Sequence, residues 1–269
     1  MNKLGIVGGG AMGSALLKGI IDRGLFNPAD VFMVETDPAK RDSLKTAYQI
    51  NVTGDLEQMV ANCQTFILAV KPNIVPRVLK ELAAGVDGRF LVISIAAGIS
   101  LTTLEDKLSE ARVIRVMPNT PARIGKGISA YTLGKNATDE DDQQVKSILG
   151  CIGKAIKLPE HLLDAVTAVS GSGPAYVFYF LEAMIDAAVM IGLSRADATV
   201  LVTETALGSV ELMRTTAEDP AKLRNDVTSP GGTTAAALYE LQQGGCAGVI
   251  MKAIAAAAQK SKELGRSNG

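Results

Sequence analysis

The chain has 269 residues, 47% of them hydrophobic, and a formal net charge of −1, enough length and apolar content for two domains of ordinary size. That charge balance and the absence of Trp exclude the clustered basic surface and stacking aromatics of a nucleic-acid binder. Cys63, Cys151 and Cys246 are far apart and belong to no C-x-x-C or His cluster, so neither a disulfide framework nor a metal site is expected, and a reducing cytoplasm fits.

Lys3 precedes an apolar run much as in a secretory signal, but Lys18 interrupts that run. No later segment is expected to cross a bilayer, so no membrane partner is expected. The run Leu4-Gly5-Ile6-Val7 leads into Gly8 to Gly13, read as GGGAMG, and Met12, Ala15, Leu16, Gly19 and Ile20 follow at helical spacing. Strand, glycine turn and helix predict a cradle for the pyrophosphate of a dinucleotide, because a helix start offers unpaired N–H groups and a positive dipole end. Gly8, Gly10, Ala11, Met12 and Gly13 are the candidate contacts.

Val31 to Val34 is a short, wholly apolar run, as in strands buried on both faces of a parallel sheet. Glu35 follows, about 20 residues beyond the glycine turn, where a dinucleotide site places its ribose-binding acid. With Thr36 beside it, Glu35 is a candidate for the ribose end, accepting from the 2′-OH and repelling a 2′-phosphate. Lys40 and Arg41 on the next helix would favour that phosphate, and a solvated loop role for Glu35 is the competing reading.

Thr65 to Val70 and Phe90 to Ile95 read as further strands, ended by Lys71-Pro72 and by Ala96-Ala97-Gly98. Ligands lie at the carboxyl ends of parallel strands, so Ala69, Val70, Lys71, Pro72, Ala96, Ala97 and Gly98 are candidates for close approach to a cofactor. Ile74 to Leu82 reads as a helix, and Thr102 with Glu105 as the capping box of the next. Arg112 to Val116 is a strand running into Met117-Pro118-Asn119-Thr120-Pro121, whose prolines predict a stiff, extended loop that cannot be helical. Thr138 and Asp141 cap a short helix with Val145, Ile148 and Leu149 on one face, and Ala155 to Lys157 is a last edge strand. The first domain is expected over residues 1–160 and the second over 161–269.

In the second domain Ala, Leu, Met and Gly recur at helical spacing. Tyr176 to Ile191 is one helix, and Ser194 with Asp197 caps another whose Ala198, Leu201, Val202, Thr205, Gly208, Ser209 and Leu212 form an expected inward face. This predicts a compact helical bundle that also serves as a subunit interface. Ser170-Gly171-Ser172-Gly173-Pro174 and Ser229-Pro230-Gly231-Gly232-Thr233-Thr234 are glycine loops before helices. The second could turn N–H groups and hydroxyls toward a small anion such as a carboxylate. A Pro-Gly turn with a threonine N-cap is the plainer alternative. His161 is expected to be exposed, and no acid/base set is visible, so the chemistry suits a reaction that needs mainly a well-placed hydride donor.

Together, GGGAMG at 8–13, AVKP at 69–72, IAAG at 95–98, VMPNTP at 116–121, SGSGPAY at 170–176 and SPGGTT at 229–234 make the whole chain resemble the pyrroline-5-carboxylate reductases. The resemblance implies an α/β chain with an N-terminal Rossmann-type, mostly parallel sheet and a C-terminal all-helical dimerisation domain. It implies hydride transfer from reduced NADP or NAD to the cyclic imine 1-pyrroline-5-carboxylate, giving L-proline, in homodimers often assembled into a homodecamer. By the same resemblance, Gly8 to Gly13 cover the pyrophosphate, Ala69 to Pro72 and Ala96 to Gly98 line the cofactor cleft, and Asn119 lies near the nicotinamide. Ser229, Gly231, Gly232, Thr233 and Thr234 would hold the substrate carboxylate, reaching over from the partner subunit, with Thr234 near the imine nitrogen as the catalytic residue.

One departure is Glu35-Thr36-Asp37, where many members carry a Ser or an Asn-Arg pair for the 2′-phosphate, which leaves NADH and NADPH both open. A β-hydroxyacid dehydrogenase would carry a catalytic lysine on the long helix, and Tyr176 to Ile191 contains none. Another cyclic-imine reductase and a non-catalytic dinucleotide sensor are the remaining alternatives.

Overall fold

Short apolar runs punctuated by Gly, Pro and acidic caps build one sheet in the N-terminal part of the chain. The structure, a computed structural model, describes residues 3–267. Strand β1 (Leu4–Val7) leads to α1 (Ala11–Asp22), β2 (Val31–Val34) to α2 (Pro38–Tyr48), and β3 (Asn51–Thr53) to α3 (Leu56–Val60). Then come β4 (Thr65–Leu68), α4 (Val75–Leu82), β5 (Leu91–Ser94), α5 (Leu101–Lys107), β6 (Arg112–Met117), β7 (Gly127–Leu133), α6 (Asp139–Gly150) and β8 (Gly153–Lys157). Helices α7 (Leu163–Val166), α8 (Gly173–Met190), α9 (Arg195–Thr216), α10 (Pro220–Asp226), α11 (Thr233–Gln243) and α12 (Cys246–Ser267) follow.

The sheet has eight strands in the order β3-β2-β1-β4-β5-β6-β7-β8. Pairing is parallel from β3 to β6, β7 runs antiparallel to β6, and β8 is parallel to β7. Strand β1 lies between β2 and β4, so the strand order reverses at its side and opens a crevice at the carboxyl ends. In β1, Leu4 and Ile6 join Leu16, Ile20 and Ile148 on one face, while Val7 joins Met59, Leu79 and Val113 on the other. Burial on both faces explains why these strands are apolar throughout rather than alternating.

Several local expectations are corrected. Strands β3 and β7 were not foreseen: β3 is three residues long, and β7 carries small and polar residues, although Ala130 and Tyr131 are fully buried. The cap of α5 is Ser100, whose Oγ accepts from Thr103 N, and Glu105 instead accepts from Lys135 N. The proline loop is extended at Asn119, but Thr120–Ile124 forms a 3-10 turn, since a proline in a first turn has no helical hydrogen bond to lose. Thr138 and Asp141 do form a capping box, and Asp141 also pairs with Arg112 at 2.6 Å.

The chain folds as two compact units, one running to Ser172 and including the stretch from Ala257, the other Gly173–Ala256. The break falls later than residue 160 because Leu163 and Ala168 are fully buried in the first unit. Ser261 Oγ also donates to Asp164 at 2.6 Å, tying the end of α12 to α7.

The second unit differs from the expected compact bundle. Of the seven residues expected to face inward on α9, only Ala198 and Val202 are buried, and Leu201 and Leu212 are half exposed. Phe178, Tyr179, Met190, Leu207, Val249 and Met251 are exposed as well. The helical stretch Glu160–Met190 contains an 18-residue window with a mean hydropathy of 1.2, long and apolar enough to cross a bilayer by length and composition alone. The helix expected from Tyr176 starts at Gly173 and is preceded by the helical turns of α7 and Thr167–Gly171. Apolar surface on this scale is ordinarily covered by another chain. Light scattering on the purified protein is expected to return at least twice the 28.1 kDa of one chain; the mass of a single chain at micromolar concentration would contradict it.

Candidate functional site

The register of the sheet sets the last residues of β1 and its neighbours side by side, Val7 opposite Val34 and Leu68. The turns that follow therefore converge at one edge. Gly8 adopts φ +106°, a conformation costly for other residues, and a Cβ there would lie 2.8 Å from the Ala69 carbonyl oxygen. At Gly13 a Cβ would collide with the Gly8 carbonyl oxygen. Gly10 has open space around it and is the N-cap of α1, yet it supplies no side-chain hydrogen bond. Ala11, Met12 and Gly13 form the first turn, so the helix starts with amides that no side chain caps, which is what an anionic group requires. The cradle fits a pyrophosphate.

Glu35 sits at the end of β2, buried to 9% exposure. Its Oε2 accepts from Gly9 N at 3.1 Å, and its Oε1 accepts from Asp37 N at 3.0 Å and from Thr36 Oγ1 at 3.3 Å. Burial opposes its charge, but the amides of Asp37 and Gly9 and the Lys40 ammonium outweigh it, so the carboxyl lies below its ordinary value. A buried carboxylate tied to the glycine turn is not a solvated loop residue. A cleft of about 340 Å³ is lined by Gly8, Gly10, Glu35, Thr36, Ala69, Val70 and Lys71, with Gly54 and Arg77 on its wall.

Pro72, Ala97 and Gly98 line a separate cleft of about 460 Å³ with Thr167, Ser172, Lys260 and Ser261. The candidate cofactor contacts thus divide between two clefts of the first unit. Ser172 was visible within SGSGPAY, whereas nothing in the sequence pointed to Lys260 or Ser261. Ala96 is buried below the surface. Asn119 is also buried, and its Oδ1 accepts from Ile128 N at 3.0 Å, so the side chain braces the proline loop against β7. A Cβ at Gly171 would lie 2.5 Å from the terminal methyl of Met117, so the VMPNTP and SGSGPAY segments are in contact.

His161 is exposed, as expected. A hollow of about 470 Å³ lies at the amino ends of β1, β4 and β5, lined by Lys3, Cys63 and Arg89. Burial pushes the Cys63 thiol up to about 12, so it is not a nucleophile.

In the second unit, Gly232 N donates to Ser229 O at 3.1 Å, closing a turn over Pro230 and Gly231, whose φ is +71°. Pro then a left-handed Gly is the pattern of a type II turn. Helix α11 begins at Thr233, two residues before the expected start at Ala235, and its N-cap is Gly232 rather than a threonine. Thr233 and Thr234 lie in the first turn with no side chain capping its amides. This is a second uncapped helix start behind a glycine turn.

Fold and glycine turn together define a dinucleotide-dependent oxidoreductase with a helical C-terminal half. Residues 3–98 match the family described as NADP oxidoreductase coenzyme F420-dependent, and residues 160–264 match pyrroline-5-carboxylate reductase dimerisation. The pyrroline-5-carboxylate reductase of Synechocystis sp. is 42% identical over 264 residues, 98% of each chain. Among solved structures, the Plasmodium falciparum pyrroline carboxylate reductase with NADP bound is 35% identical with a TM-score of 0.89, and covers 98% of each chain. That of Coxiella burnetii is 32% identical with a TM-score of 0.91, again over 98% of each. The chain belongs to the pyrroline-5-carboxylate reductase family.

The close approach at Gly13 is directly testable. Ala is favoured over Gly within a helix by about 1 kcal/mol, but the collision with the Gly8 carbonyl should outweigh that gain. Gly13→Ala is expected to lower unfolding free energy by roughly 1–3 kcal/mol in urea titration, whereas a stabilised variant would contradict the packing described.

Proposed function

We infer that this chain catalyses the NAD(P)H-dependent reduction of 1-pyrroline-5-carboxylate to L-proline, the last step of proline biosynthesis. The observation that carries this reading is the pair of uncapped helix starts behind glycine turns, at Gly10 for the dinucleotide and at Gly232 for a small carboxylate, in a chain of this family. When bound, the reduced nicotinamide supplies the hydride that ends on the imine carbon. The nitrogen takes up a proton, and C=N becomes CH–NH.

The residues of the chain mainly bind and orient. Gly8, Gly10, Ala11, Met12 and Gly13 hold the pyrophosphate, with Glu35 and Thr36 at the ribose end. Ala69 to Pro72 and Ala96 to Gly98 line the approach to the nicotinamide, and Asn119, fixed by Ile128 N, keeps the proline loop beside it. The first-turn amides of Thr233 and Thr234, with Ser229, Gly231 and Gly232, hold the substrate carboxylate. Thr234 hydrogen-bonds at the imine nitrogen and relays its proton; a threonine hydroxyl is too weak an acid to act alone, so orientation supplies most of the rate. We assign dinucleotide binding to residues 1–160 and substrate binding and dimerisation to residues 161–269, a functional division that falls before the break between the two compact units. The helices of the second form a homodimer whose partner contributes the Ser229 to Thr234 loop, and dimers assemble further into a decamer. Free Cys63, Cys151 and Cys246 suit a reducing, cytoplasmic setting.

Mixing the purified protein with pyrroline-5-carboxylate is expected to consume reduced nicotinamide with NADH, NADPH or both; no consumption with either removes the assignment. Thr234→Val should lower kcat roughly 100-fold, with cofactor Kd changed by less than about twofold. Collapse of cofactor affinity with normal turnover at saturation would assign Thr234 a different role.

A further inference from the structure

We propose that the turn after β2 selects the dinucleotide that lacks a 2′-phosphate, which makes NADH the preferred hydride donor of this chain. This rests on the reading that the chain is a nicotinamide-dependent pyrroline-5-carboxylate reductase, and concerns which donor that site accepts.

Two carboxylates are fixed at this turn. Glu35 is held by Gly9 N and Asp37 N, so turning it away would break bonds to two backbone amides, one of them in the glycine turn itself. Asp37 is the N-cap of α2, with Oδ1 accepting from Ala39 N at 2.9 Å and from Lys40 N at 3.5 Å. The start of α2 would otherwise be the natural seat for a phosphate, and a carboxylate already covers it. Glu35 lines the cleft together with Thr36 and Gly54, so a 2′-phosphate entering beside it would meet like charge, whereas a ribose hydroxyl could donate to it.

The cations seen in the sequence do not reverse this. Arg41 Nη1 donates to the carbonyls of Glu35 and Thr36, both at 3.0 Å, which holds the turn together from within. Lys40 is exposed, and its ammonium offsets part of the Glu35 charge. Of the two cations on α2, Arg41 is thus turned onto the carbonyls of the turn and Lys40 is exposed, while both carboxylates are anchored by backbone amides.

Calorimetric titration of the full-length protein with NADH and with NADPH, in parallel with kcat/KM for pyrroline-5-carboxylate reduction, tests the proposal. NADH should bind at least about tenfold more tightly, with the same order in kcat/KM. Glu35→Gln should tighten NADPH and weaken NADH, moving the ratio of their Kd values by about tenfold; a purely structural role would weaken both together. Thr36→Arg, which leaves the amide bonds of Glu35 in place, should tighten NADPH about tenfold while NADH changes less than about threefold. Equal or tighter binding of NADPH by the unaltered chain overturns the proposal. Failure to reduce pyrroline-5-carboxylate with either donor would instead remove the assignment of function, leaving the two binding constants to decide donor choice.

Discussion

The structure depends first on how closely the turn after β1 packs. Gly13 leaves no space for a side chain above the Gly8 carbonyl, and Gly8 leaves none above Ala69. The start of α1 is thereby pressed against the end of β4, where the strand order reverses. Larger residues would lift the helix from the sheet and remove its amides from the crevice. Glu35 reinforces the arrangement from the other side through Gly9 N. The three strand ends β2, β1 and β4 are thus fixed relative to one another by backbone contacts and one carboxylate.

A site built this way can be chemically sparse. The described residues bring no general acid/base set into the clefts, and the reaction of the family requires little more than a hydride donor and an electrophilic imine carbon held in register. The side chains that matter act largely on the backbone: Glu35 on Gly9, Asn119 on Ile128, Arg41 on the turn after β2. Polar groups used as braces preserve geometry without competing for the proton or the hydride.

Much of this was legible in the sequence where one local rule dominates. GGGAMG, the apolar runs of β1, β2, β4 and β5, and the Thr138 and Asp141 cap each follow from spacing and residue type alone. Features that depend on distant partners were not legible. Glu105 has the spacing of a capping box with Thr102, but Lys135 N claims it. Strand β7 is defined by its pairing to β6 and β8 rather than by apolar run length. The periodic face of α9 reads as inward from spacing, yet spacing cannot distinguish a core within one chain from a surface that another chain covers. Arg41 could be seen beside Glu35, but not that it turns toward the carbonyls rather than outward.

The central claim is that the crevice delivers hydride from a bound nicotinamide to the imine carbon of pyrroline-5-carboxylate. Reduced nicotinamide carrying deuterium at both positions of its reactive carbon tests it most directly, with the product examined by mass spectrometry and NMR. The account predicts proline carrying a single deuterium on the ring carbon that had been doubly bonded to nitrogen. Unlabelled proline, or label at another carbon, would contradict it.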